Sequence, residues 1–282
     1  MYKLKLLATA MLISLFAAAQ TEIKVMSYNI RLDVKSDGEN WWENRKGRVA
    51  NLVNYYEADF IGMQEVLHHQ LVYLKDNLNG YDYIGVGRDD GKEAGESSCI
   101  FYKKDRYTVV QQSTFWLSPT PDVPSKGWDA ALNRVCTYGL FLNNKTKQYV
   151  WVFNTHFDHI GKIARKESAG MLLKAVDSIA GKTTAIVTGD FNAFPADEPI
   201  RIIVDEQNPL HLTDSKPLSI EGHYGPTGTF NGFTSKESSN DPIDYIFFNL
   251  FVKVYKHATL SQSWGGRFSS DHFPEWAKIL VE

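Results

Sequence analysis

Glu22 to Leu32 alternates around Ile23, Val25 and Ile30, the period of a strand with one buried face, and carries Ser27-Tyr28-Asn29. A polar loop from Asp33 to Asn40 leads to Trp41-Trp42 and a predicted helix through about Tyr56, with Val49, Leu52, Val53 and Tyr56 on one face. Asp59 to Gln64 reads as a short buried strand ending at Glu65, followed by a helix from about His69 to Leu78 and a strand from Tyr83 to Val86. Asp89 to Glu96 is a charged loop. Ser98 to Lys103 and Tyr107 to Leu117 read as a strand pair joined at Lys104-Asp105.

Ser118 to Asn133, with three prolines and Trp128, is a long loop of the kind that carries function. Arg134 to Leu142 and Gln148 to His156 alternate on both arms of a hairpin turning at Asn143-Asn144. Lys162 to Ile179 is the clearest amphipathic helix. Ala185-Ile186-Val187-Thr188 is a β-branched run that breaks at Gly189 and delivers Asp190 and Asn192. A short helix after Asp197, an irregular stretch from Leu210 to Asn240, a strand from Asp244 to Val254 and a last strand from Trp276 to Val281 complete the chain. Many strands, several followed by helices, define an α/β or α+β class with a large core. No linker or repeat divides the chain, so one domain is expected over residues 20–282.

Residues 1–19 stand apart. Lys3 and Lys5, an apolar run from Leu6 to Phe16 and Ala17-Ala18-Ala19 have the order of a secretory signal peptide. The run is too short for a stable membrane span of about 20 residues, and no cysteine follows for lipid attachment. A secreted or periplasmic chain starting near Gln20 is expected. The leader holds two of the 30 Lys and Arg and none of the 33 Asp and Glu, so the remainder stands at −5. That balance disfavours a dedicated duplex binder, though not a nuclease with a few local basic contacts. Cys99 and Cys136 fall in predicted strands. Export permits a disulfide between them if those strands are neighbours, but two buried thiols are the favoured reading.

Six polar clusters end apolar runs: Asn29, Glu65, His156, Asp190 with Asn192, Asp244, and Asp271-His272. One such residue is usually a turn or cap. Several carboxylates converging on one pocket need a cation. Asn, Glu and Asp oxygens without cysteine favour Mg²⁺ or Mn²⁺, with zinc second because histidines are near. His156 and His159 form only a weak zinc pair, and His68-His69 reads as a solvated pair at a helix start. No nucleophile elbow, phosphate loop or dinucleotide fingerprint occurs, which leaves metal-assisted attack by water.

Taken in order, Ser27-Tyr28-Asn29-Ile30, Gln64-Glu65-Val66, Asn154-Thr155-His156, Gly189-Asp190-Phe191-Asn192, Ile243-Asp244-Tyr245-Ile246 and Ser270-Asp271-His272 resemble the endonuclease/exonuclease/phosphatase superfamily. The run from Gly225 to Gly232 is most similar to its deadenylase-like branch and secreted bacterial relatives. The resemblance implies a four-layer α/β/β/α sandwich, two mixed sheets face to face with helices outside. It implies Glu65 as principal metal ligand, with Asn29 and Asp271 in the metal and phosphate shell. Asp190 would orient or deprotonate water and Asn192 would hold a phosphate oxygen. His272, oriented by Asp244, and His156 would act on the phosphate. Glu96 would orient His156, and Arg134 would contact phosphate.

The expected activity is Mg²⁺- or Mn²⁺-dependent hydrolysis of phosphate esters, with a nuclease-like phosphodiesterase preferred. A lipid or sugar-phosphate hydrolase is the alternative, and a non-enzymatic binding protein the least favoured. A monomer with no stable protein partner is expected. Trp41 and Trp128 are open candidates for a stacking platform, whereas Trp42 and Tyr102 read as core.

Overall fold

The computed structural model describes residues 21–234, 241–249 and 252–281. The leader therefore lies outside the described residues, as do six positions of the irregular stretch before Asp241. Thirteen strands and four α-helices are found among the described residues: β1 (Thr21–Asn29), α1 (Trp42–Tyr56), β2 (Phe60–Gln64), α2 (His68–Asn77), β3 (Tyr81–Ile84), β4 (Ile100–Lys103), β5 (Tyr107–Trp116), β6 (Val135–Asn143), β7 (Tyr149–His156), α3 (Lys162–Ala180), β8 (Ala185–Asp190), α4 (Glu198–Val204), β9 (Thr213–Asp214), β10 (His223–Tyr224), β11 (Asp244–Phe248), β12 (Lys253–Thr259) and β13 (Glu275–Val281). A 3₁₀ turn, Lys35–Asn40, sits between β1 and α1.

One sheet runs β10-β12-β13-β1-β2-β4-β3 and the other β5-β6-β7-β8-β11-β9. Both are mixed, with parallel pairs β1/β2 and β7/β8 amid antiparallel neighbours. Three apolar layers follow. Val49, Leu52, Val53, Leu71 and Leu74 of α1 and α2 cover Met26, Tyr28, Ile61 and Met63 of the first sheet. Leu172, Leu173 and Val176 of α3 cover Phe153, Val187 and Phe247 of the second. Val25, Phe60, Val152, Ile186, Ile246 and Ile279 fill the space between the sheets. The expected four-layer sandwich is the observed fold.

Two strand readings are corrected. β4 and β5 are not a pair: β4 lies between β2 and β3, whereas β5 pairs with β6 in the other sheet. The turn at residues 104–106 carries the chain between sheets, and local alternation is the same whether a strand turns back or crosses over. The single strand expected over Asp244 to Val254 is two. β11 pairs with β8, and β12 pairs with β13 in the first sheet. Asn249 ends β11 by accepting from Ala185 N at 2.7 Å and donating to Thr183 O at 3.0 Å.

The sheets are also tied by a buried polar contact. Asn154 of β7 donates from Nδ2 to the carbonyls of Met63 and Cys99, each at 2.8 Å. Its Oδ1 accepts from Gln64 Nε2 at 2.7 Å and Thr188 Oγ1 at 3.1 Å. Gly62 leaves the room for this, because a Cβ there would stand 1.9 Å from Thr188 Oγ1. Cys99 and Cys136 are free, buried thiols, consistent with the favoured reading.

Candidate active site

Strand direction gathers the polar clusters. Parallel β1 and β2 end together, with Asn29 opposite Gln64. Parallel β7 and β8 end together, with His156 opposite Asp190. Antiparallel β11 starts at the same edge, with Asp244 opposite Asp190, and Asp271-His272 enters β13 beside β1. These ends border one cleft of about 550 Å³, lined by Glu65, Glu96, Arg134, His156, Asp190, Asn192, Asp271 and His272. Asn29 and Asp244 stand behind this lining. Asn29 is wholly buried, and its Nδ2 donates to Glu65 Oε1 at 3.1 Å and Asp190 Oδ2 at 2.9 Å.

Asp190 is the centre. Its Oδ1 accepts from Asn192 N at 2.9 Å, while Oδ2 lies 3.5 Å from His156 Nε2 and 3.8 Å from His272 Nε2. Burial first, and then the neighbouring Asp244 charge, push its carboxyl up to about 7. The two histidines are driven apart. Asn192 Nδ2 faces both His156 Nε2 and the Phe157 carbonyl at 3.0 Å. A carbonyl only accepts, so that amide nitrogen is a donor and His156 Nε2 is bare. Burial, with Arg134 and Arg88 nearby, holds His156 below its ordinary value and hence neutral.

His272 is the reverse case. Burial opposes its charge, yet Asp244, with Nδ1 to Oδ2 at 2.9 Å, and the Asp190 and Asp271 carboxylates hold it protonated. Paired titratable groups pushed in opposite directions are the usual mark of acid and base roles.

Glu96 reaches 4.0 Å from His156 Nδ1 and bonds Arg88 Nη1 at 2.7 Å. Burial raises its carboxyl above the ordinary value. Arg134 bonds Asp158 Oδ2 at 3.4 Å and His159 Nδ1 at 2.9 Å, and its Nη1 is buried without a protein partner among the described residues. That atom suits an oxyanion in the cleft. With His159 turned to Arg134 and His156 to Asn192, the His156/His159 zinc pair is not formed. His68 and His69 are half-exposed and face Glu93 and Asp33.

Two groups could hold a cation. Asp190, Asp244 and His272 present ligand atoms within 4.8 Å of one another. His272 Nδ1 already faces Asp244 Oδ2 at 2.9 Å, so this set is bonded within itself. Glu65 and Asp271 face the cleft from the other side. Burial and the Glu65 charge raise the Asp271 carboxyl, a crowding that a divalent cation would relieve. Four carboxylates (Glu65, Glu96, Asp190, Asp271) against Arg31 and Arg134 line a cleft that must admit an anion if phosphate is the substrate. An all-oxygen donor set of this charge fits Mg²⁺ or Mn²⁺.

Arg31, Leu32, Leu132, His159 and Phe230 line the cleft outside the six motif segments. Phe230 meets His272 edge-to-face at 5.0 Å. Arg31, Glu65 and Asn192 share a rarer signal, positive φ without glycine, at 59°, 62° and 47°. Such backbone costs of order 1 kcal/mol or more and is concentrated at working sites. Of the tryptophans, Trp42 is core, as expected, and Trp128 lies instead beside Phe115, Tyr138 and α3. Tyr102 packs on Phe141 between the sheets.

The family model described as "Endonuclease/Exonuclease/phosphatase family" matches residues 26–272, which takes in every one of these side chains. The chain belongs to that family. A solved family protein from Bacteroides thetaiotaomicron is 39% identical, covers 94% of this chain and 97% of its own, and superposes with a TM-score of 0.90. A structure named mannosyl-6-phosphatase, from the same organism, is 38% identical with 92% and 100% coverage and a TM-score of 0.86. Nocturnin of Drosophila melanogaster is 26% identical over 240 residues, 73% of this chain but 36% of that protein. An uncharacterised mimivirus protein is 30% identical over 54% of this chain and 59% of its own length. The chain thus spans roughly a third to three-fifths of these two relatives. No helix among the described residues is long and apolar enough to cross a membrane.

Proposed function

We propose that the protein is a divalent-metal-dependent hydrolase of phosphate esters. The environment of Asp190 carries this reading: a buried carboxylate raised to about 7, flanked by one neutral and one protonated histidine in an anion-sized cleft. Asp190 accepts the proton of the attacking water. His272 presents Nε2–H to the charge that builds on phosphate, with Asp244 stabilising the imidazolium. The Nη1 of Arg134 holds a phosphate oxygen, while Asn192 positions His156 by donating to its Nε2 and Glu96 faces the His156 Nδ1. Glu65 and Asp271 would hold Mg²⁺ or Mn²⁺, with Asn29 keeping Glu65 and Asp190 in place by donating to both. When bound, such an ion polarises the phosphate and neutralises the acidic side of the cleft.

Within that class, a small phosphate ester such as a sugar phosphate is the favoured substrate. The cleft has the volume of a small-molecule pocket, and the 38%-identical mannosyl-6-phosphatase supports this choice. The polynucleotide reading rests on the sequence motifs. The leader-like residues 1–19 support export, and N-terminal sequencing of the protein from the extracytoplasmic fraction should begin near Gln20.

The test is turnover of sugar 6-phosphates, p-nitrophenyl phosphate, bis-p-nitrophenyl phosphate, RNA and sphingomyelin with Mg²⁺ or Mn²⁺ and with EDTA. Metal-dependent release of phosphate from the monoesters is expected. Equal turnover in EDTA would defeat the metal dependence, and turnover of RNA alone would favour the nuclease.

A further inference from the structure

Arg31 stands two residues beyond β1, its amide donating to Asn29 Oδ1 at 3.0 Å. Its left-handed backbone is stabilised from behind by Arg45, a wholly buried side chain that donates to the carbonyls of Arg31 at 2.6 Å and Asn40 at 2.9 Å. Arg45 therefore grips both ends of the loop that holds the 3₁₀ turn. Within that turn, Asp37 accepts from Arg31 Nε and Nη2, each at 3.0 Å. This bidentate pair fixes the guanidinium by one edge.

The remaining face looks into the cleft. Arg31 Nη1 lies 4.0 Å from Glu65 Oε2 and Nε lies 3.7 Å from Asp271 Oδ2, both longer than hydrogen bonds. A fork-shaped cation held at a stated orientation beside the acidic side of the cleft, but bonded to neither of its carboxylates, is arranged for an incoming anion. Arg134, His156 and Asn192 occupy the opposite side.

We propose that Arg31, oriented by Asp37, binds a phosphate oxygen of the substrate and thereby makes the site selective for phosphomonoesters over phosphodiesters. This rests on the ester-hydrolase reading and adds the substrate class. A monoester carries three non-bridging oxygens and, at neutral pH, close to two negative charges. A diester has two such oxygens and one charge. Arg134 Nη1 and the Nε2–H of His272 can satisfy two oxygens, and the third is what a further cation in the cleft addresses. Arg31 is thus a binding residue, and Asp37 a positioning residue acting through it.

The experiment compares wild type, Arg31→Gln, Arg31→Lys and Asp37→Asn on p-nitrophenyl phosphate and its bis ester. It also measures inorganic phosphate binding to the Mn²⁺-loaded protein by calorimetry, with urea unfolding as the check on folding. Arg31→Gln should weaken phosphate binding about 10-fold or more and lower monoester kcat/KM by a similar factor, mainly through KM, with roughly 3-fold or less lost on the diester. Arg31→Lys should fall between, because it keeps the charge and loses the fork. Asp37→Asn should move the same quantities in the same direction by less. Unaltered phosphate binding in folded Arg31→Gln, or equal loss on both esters, would overturn the assignment. Wild type that turns over neither of these esters nor sugar phosphates, RNA or sphingomyelin would overturn the ester-hydrolase reading, while its phosphate binding still tests Arg31.

Discussion

Asn154 of β7 donates its side-chain amide to the main-chain carbonyl of Met63 on β2 at 2.8 Å, so the strand that ends at His156 is bonded across the core to the strand that ends at Gln64, just before Glu65. Apolar packing alone lets two sheets slide, because it is non-directional. A buried amide with four partners does not.

Replacing Asn154 with Ala should therefore cost more than its volume suggests. The carbonyls of Met63 and Cys99 and the amide of Gln64 would be left buried with a partner lost, at about 1–3 kcal/mol for each unsatisfied group. A loss of roughly 3–5 kcal/mol in urea unfolding is expected, against about 1 kcal/mol for Thr188→Val, which removes one donor. An Asn154→Ala protein within 1 kcal/mol of wild type would show that the tie contributes little.

Asp190 and His272 set the pH dependence of catalysis. Asp190, raised by burial and Asp244 to about 7, must be deprotonated to take a proton, so kcat/KM should fall as pH drops below about 7. His272, held protonated mainly by the Asp244 and Asp190 charges against its burial, must keep its proton. The rate should fall again only at pH well above the ordinary imidazole range. Asp190→Asn should lose roughly 10²–10⁴ in kcat and erase the acid limb. Asp244→Asn, which removes the charge that holds His272 protonated, should move the alkaline limb to lower pH. An acid limb that survives in Asp190→Asn would assign the base elsewhere.

Asp59 supplies a pH signature of stability away from the cleft. Its carboxylate is wholly buried before β2 and accepts from Lys24 N at 2.8 Å and from Arg106, a half-exposed partner. Burial, the largest influence, pushes the carboxyl up from 3.8 to about 6 in spite of those partners. A raised acid binds its proton more tightly when folded, so this contribution is full below about 3.8 and is lost as pH rises through about 6. Asp59→Asn should remove that slope. Its urea midpoint relative to wild type should improve between pH 4.5 and 7.5, by an amount on the order of 1–3 kcal/mol. A variant equally destabilised at every pH would mean that the Arg106 and Lys24 bonds outweigh burial.

The motif residues of the site were legible because each is a polar residue at the end of an apolar run, a purely local pattern. Asp190 and Asn192 after Ala185 to Thr188, or Glu65 after Phe60 to Gln64, announce themselves without any knowledge of their neighbours. Arg31 and Leu132 were not legible, since they lie in loops where an arginine or a leucine carries no periodic signal. The left-handed backbone at Arg31 and Glu65 is equally invisible in the residue types. Arg45 is another such case: on its helix it reads as an ordinary polar position, yet it is completely buried and caps the carbonyls of the Arg31 loop.

Sequence alone determined the alternation of strands and helices, the order of the polar clusters and the chemistry those side chains can perform, because propensity, burial period and side-chain type are properties of short segments. Which strands pair was decided only in the tertiary structure. β4 and β5 separate into different sheets, and β11 and β12 do the same, although each couple reads as one continuous feature. The reason is that pairing depends on surfaces brought together from distant parts of the chain, where Asn154 meets Met63 and Asp244 meets His272. The same long-range closure turns Gly189-Asp190-Phe191-Asn192 from a strand end into the centre of a cleft: the Asp190 carboxyl is raised by burial and by Asp244, a residue 54 positions away in the chain.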